Sequence, residues 1–139
     1  MKAGHLQIPP AILRRLRAIC SRLPEAREEA AWVGVRWRIG TRTFAHVLMV
    51  DRGWPPAYAK AAGADGPLCL LTLRSSFAAF DPDSFTQPPF FRPRWWPDII
   101  GVTLEGAVDW AEIRSLVVAS YRALAPKRLT APPKAPPTK

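Results

Sequence analysis

Two clusters in this 139-residue chain set arginine beside tryptophan, a pairing suited to phosphate contact combined with base stacking. The first is Trp32 with Arg36, Arg38 and Arg42. The arginines fall on alternate positions and then on a turn, so they project from one strand face or from the hairpin tip. The competing reading is a solvated strand face whose tryptophan covers the core. The second cluster is Arg92-Pro93-Arg94-Trp95-Trp96-Pro97. Two guanidinium groups and two indoles in a proline-flanked stretch can hold a planar ligand or nucleic acid through stacking and cation–π contact. Equally, one of the two tryptophans can plug the core, and one is expected to do so.

Nothing else in the chain has the spacing of a reaction centre. Gly63-Ala64-Asp65-Gly66 lacks the spacing and the lysine of a phosphate loop. Ser75 and Ser76 follow a strand without the flanking glycines of a nucleophile elbow. Asp81 and Asp83 flank Pro82 and can in principle act as an acid–base pair, but initiation of a turn or helix explains them more simply. His46 is a lone strand histidine and reads as structural. Cys20 and Cys69 sit in apolar runs with no Cys-x-x-Cys spacing, which suits buried free thiols. The expectation is a protein without catalytic residues, metal or cofactor.

The net charge is +9, and such an excess favours polyanionic partners. By segment it is +3 over residues 1–31, +4 over 32–75, −2 over 76–108 and +4 over 109–139. Positive charge therefore gathers on the first helix, the first hairpin and the C-terminal part, including Lys127 and Arg128. The start of the chain lacks the pattern of a signal peptide. No apolar run approaches the roughly 20 residues of a membrane span. A cytoplasmic monomer of bacterial type is expected.

The elements that must position these residues follow from periodicity. Ile12, Leu13, Leu16, Ile19, Cys20 and Leu23 mark a helix over Pro10–Leu23, stopped by Pro24. An acidic stretch follows at Glu25, Glu28 and Glu29. Trp32–Ile39 and Thr43–Val50 alternate as two strands about a Gly40-Thr41-Arg42 turn. A short helix at Ala57–Ala62 precedes Leu68–Arg74, a strand apolar on both faces and hence central. Phe77–Phe85 reads as a short helix, and the proline-laden Pro88–Pro97 as irregular. Ile99–Leu104 is a further strand. The last helix starts at the Asp109 cap, with Glu112 three residues on, and buries Trp110, Ile113, Leu116, Val117, Tyr121 and Leu124. These elements imply an α+β fold: an antiparallel sheet of about four or more strands with the N- and C-terminal helices on one face. The folded domain spans 8–129, and the Pro-rich 130–139 is a disordered tail.

A helix ending in LPEA, then an acidic stretch, then WVGVRWRIGTRTFAHVL resembles the opening of the MmcQ/YjbR family. RWWPDIIGVTLEGAVDWAEIRSLVVASYRALAPKRL resembles its closing half. The resemblance runs from Ile12 to Leu129. It implies a fold similar to that of frataxin-like CyaY and a double-wing DNA-binding description. The wings would be the hairpin turning at Gly40 and the segment leading into Trp95. That segment, Pro88 to Arg94, departs from the family's histidine- or asparagine-containing approach while keeping its positive charge. No acidic ridge for iron is present.

The sequence thus points to a non-enzymatic DNA-binding protein. Arg36, Arg38, Arg42, Arg92, Arg94, Lys127 and Arg128 are its expected phosphate contacts, and Trp32, Trp95 and Trp96 its stacking residues. The alternative is a small-molecule binder with an aromatic pocket around Trp95 and Trp96, walled by Phe90 and Phe91. A third reading is an adaptor acting through the Pro-rich tail.

Overall fold

The computed structural model describes residues 7–75, 85–93 and 98–130. Its framework is a six-stranded sheet, antiparallel throughout, in the order β1-β2-β3-β4-β6-β5. The strands are β1 (Arg27–Ala30), β2 (Val35–Ile39), β3 (Arg42–Val50), β4 (Leu68–Arg74), β5 (Phe90–Phe91) and β6 (Ile99–Thr103). The helices are α1 (Pro10–Cys20), α2 (Pro56–Ala62), α3 (Trp110–Leu124) and α4 (Lys127–Thr130). The expected α+β architecture is therefore present.

The two faces of the sheet bury different sets of side chains. On one face Trp37, Ala45, Val47, Leu71, Leu73, Ile100 and Val102 meet Leu16 and Cys20 of α1 and Ile113, Val117 and Tyr121 of α3. This is the main core, and it places the N- and C-terminal helices together. On the other face Leu48, Val50, Leu68 and Leu70 meet Val33 and Ala59 of α2. Helix α2 thus lies opposite α1 and α3 and covers only part of its face. Strand β4, apolar on both sides, is central as its composition predicts, between β3 and β6.

Local chemistry explains the ends. Asp109 accepts a hydrogen bond from the Glu112 backbone N–H at 3.1 Å, which caps α3. Ser120 is fully buried on α3 and pins it to the sheet. Its hydroxyl donates to the Phe44 carbonyl at 2.6 Å and accepts from the Arg74 N–H at 2.8 Å. The Tyr121 hydroxyl donates to the Pro24 carbonyl at 2.6 Å, and Arg128 grips Glu25 at 2.6 and 2.9 Å.

Several expectations need correction. α1 ends at Cys20, and Leu23 follows in a turn. The acidic stretch, given no element from the sequence, contributes edge strand β1 over residues 27–30. Strand β2 starts at Val35, since Trp32 to Gly34 form the turn from β1, closed by the Ala31 N–H on the Gly34 carbonyl at 3.0 Å. Phe90 and Phe91 make a two-residue strand inside the stretch read as irregular. Thr130, assigned to the tail, closes α4. Most of the expected Phe77–Phe85 helix lies outside the described residues, as does the tail beyond Thr130.

Candidate nucleic-acid interface

Side chains alternate across a strand, so the register determines which residues share the partly covered face. Glu29, Arg36, His46, Thr72, Gly101 and Phe91 stand in one row across all six strands. Gly101 makes room for its neighbour: a Cβ there would lie 2.1 Å from the Phe91 ring. α2 covers the aliphatic end of this face and reaches the row through Tyr58 on His46; Thr72 and Gly101 of the row are buried, while Glu29 and Arg36 at its β1 end are partly exposed.

Arg36 and Arg38 both project from β2 on this side, as expected, and both are held by Glu29. Arg36 Nε donates to Glu29 Oε1 at 2.6 Å and Arg38 Nη1 donates to the same oxygen at 2.8 Å. These two guanidinium groups, Arg38 first, hold the Glu29 carboxyl below the usual carboxylate range. The neighbouring Glu28 points to the other face and takes Arg17 of α1 at 2.8 Å. Alternation along β1 thus sends one carboxylate to each layer. At the far end of β4, Arg74 pairs with Asp98 and donates to the Thr43 carbonyl at 3.3 Å.

Trp32 occupies the β1–β2 turn and is 83% exposed, the one large hydrophobic side chain so open among the described residues. Its position follows from Gly34, which has φ +80° and passes so near β3 that a Cβ would sit 2.0 Å from the Val47 carbonyl oxygen. That approach drops Val33 into the smaller core and leaves Trp32 outside. Its ring meets Trp54 from the β3–α2 loop, with centroids 5.3 Å apart and planes tilted by 60°. The reading of Trp32 as a core cover is therefore incorrect.

His46 supports this end of the face. Its Nε2–H donates to the Val33 carbonyl at 2.6 Å, and Tyr58 packs edge-on at 5.9 Å. Burial holds the imidazole below its ordinary pKa, outweighing the raising effect of the Val33 bond, with Arg36 adding to the depression. It is a neutral structural donor, as the lone strand histidine suggested. Trp54 and Tyr58 belong to this site and were missed; the aromatic spacing around Pro55 was their only sequence signal.

The remaining expected residues are spread out. Arg42 is exposed at the Gly40 turn, the opposite end of the hairpin from Trp32. Arg92 is half-buried. Lys127 and Arg128 belong to α4, whose Leu129 packs on the main core, so they lie on the helical side. Arg94, Trp95 and Trp96 lie outside the described residues. Phe90 packs edge-on against Phe85 at 4.8 Å and joins the main core, while Phe91 fills the space over Gly101. Both rings carry packing.

Both cysteines are buried, and burial pushes each thiol up to about 12. They are inert at neutral pH. Among the described residues no cluster of three or more histidine, cysteine or acidic side chains could hold a metal. No described helix is long and apolar enough to cross a membrane.

No protein-family model and no curated protein matches the chain. Among solved structures, the crystal structure of a Pseudomonas syringae protein, a structural-genomics target, is similar in fold. It has a TM-score of 0.58 at 14% identity, covering 79% of this chain and 96% of that one. At that identity the likeness concerns the fold.

Proposed function

We propose that this protein is a non-enzymatic nucleic-acid-binding protein that uses the partly covered sheet face. One observation carries the reading: Trp32 stands in solvent, braced by Trp54, on the face that bears Arg36 and Arg38. An exposed indole offers a base a stacking surface, and guanidinium groups along the same face meet phosphates. Arg42 extends the cationic line to the hairpin tip. The resemblance to MmcQ/YjbR proteins, with their double-wing description, agrees with an interface on this hairpin. The net charge of +9 supplies the attraction at distance.

The test is titration against labelled duplex and single-stranded DNA at several salt concentrations. Because Glu29 already engages Arg36 and Arg38, changing Arg36, Arg38 and Arg42 together to Ala should flatten the salt slope by about 0.9 to 1.8, at about 0.9 per lost phosphate contact. Trp32→Ala should weaken binding by about 1–3 kcal/mol with little change in slope. An unchanged slope in the triple variant removes the hairpin from the interface. Absence of wild-type binding at low salt overturns the proposal.

A further inference from the structure

On the helical side Arg17 and Arg128 are held by acids, whereas three other arginines share one groove. Among the described residues, ion pairs engage Arg17, Arg36, Arg38, Arg74 and Arg128. Arg15, Arg22 and Arg114 have none, and all three line one groove of about 300 Å³ between α1 and α3. Small residues keep the groove open, with Ala18 on one helix and Ala111 on the other. Trp110 forms its aromatic wall, and the Arg15 guanidinium lies 5.7 Å from that ring's centroid. Among the described residues no acid lines the groove. The acids of the first α3 turn, Asp109 and Glu112, line a separate hollow against Phe90 and Val102 on the other flank of the helix.

Three cations about a small hollow repel one another, and a multiply charged anion relieves that repulsion. Guanidinium forks match phosphate oxygens two at a time, more closely than a point charge does. The volume lies at the lower end of small-molecule sites, which run from about 300 to 1,000 Å³. The indole gives a planar group an apolar surface. We infer that the α1/α3 groove binds a nucleoside diphosphate-class ligand, with its phosphates on Arg15, Arg22 and Arg114 and its base toward Trp110. This site lies on the opposite layer from Trp32 and stands independently of the sheet-face interface.

The experiment is calorimetric titration of the full chain with ADP, inorganic pyrophosphate and adenosine. The proteins are wild type, the triple variant Arg15→Gln/Arg22→Gln/Arg114→Gln, and Trp32→Ala. ADP and pyrophosphate should bind wild type and Trp32→Ala equally, and adenosine should not bind measurably. The triple variant should lose roughly tenfold or more in ADP affinity, the equivalent of even one charge-assisted bond. Because the three side chains make no ion pair and lie off the core, its unliganded thermal midpoint should stay close to that of wild type. Arg22→Gln alone, just beyond the end of α1, should give a partial loss and guards against a folding defect. ADP affinity unchanged in the triple variant, absent from wild type, or lost instead in Trp32→Ala overturns the inference.

Discussion

Glu29→Gln tests the sheet-face interface more sharply than deletion of any arginine. One carboxylate oxygen holds both Arg36 and Arg38, so the wild-type trio carries a single net positive charge. Neutralising Glu29 keeps its shape and doubles that charge. If only the net charge matters, one further phosphate contact forms; if both guanidinium groups swing free, two do. The salt slope for DNA should then steepen by about 0.9 to 1.8, so the ratio of affinities at about 50 and 200 mM salt grows roughly 3.5- to 12-fold. The thermal midpoint should move little, because ion pairs with this much solvent access contribute little to stability. Glu28→Gln makes the same change in net charge on the opposite face, where it frees Arg17, and should leave the slope near wild type. Fluorescence anisotropy with a labelled duplex at four salt concentrations reads all three proteins. A Glu29→Gln slope equal to wild type, or matched by Glu28→Gln, would refute the assignment of this face.

Three further outcomes follow from the packing. Ser120→Ala strands the Arg74 N–H and the Phe44 carbonyl in the core and should cost about 2–4 kcal/mol, read by urea unfolding; a loss under about 1 kcal/mol would mean these groups find other partners. Gly34→Ala combines positive φ with contact against Val47 and should cost more than about 2 kcal/mol while displacing Trp32, seen as a shift in tryptophan emission; unchanged emission and stability would contradict the crossing. Because burial lowers His46 in the fold, the unfolded chain takes up its proton first, so stability should fall as pH drops below about 6.5, an effect that His46→Gln should weaken. Equal pH dependence in wild type and His46→Gln between pH 7.5 and 5.5 would show that the imidazole is already accessible.

The parts of the fold visible in the sequence are those whose burial imposes a period. α3 shows it through Ile113, Leu116, Val117 and Tyr121, with Asp109 as its cap. Trp110 is the exception: it falls on the same stripe but is half-buried, because it packs at the margin of the main core and also walls a groove. β4 shows its central place through apolar residues on both faces. β1 has no such signal, since its polar residues face Arg17 on one side and Arg36 and Arg38 on the other. In the sequence the alternation of β2 runs back to Trp32 only because Val33 is also buried, in the smaller core across the Gly34 crossing. For the candidate site, the arginines and Trp32 were legible. Their partners were not: pairing with Glu29, and the meeting of Trp32 with Trp54, depend on strand neighbours that no local spacing encodes.

The character of β1 has a consequence for solubility. An edge strand carries a row of open backbone donors and acceptors that another chain can extend into a fibre. Here one border of the sheet is four residues long and bears Arg27, Glu28 and Glu29, while the other is the two-residue β5. A second β1 laid in register against the first would bring like charges together. The same carboxylates that restrain the arginines therefore guard the sheet against templated stacking. Neutralising both would expose the chain to aggregation even where the fold itself survives.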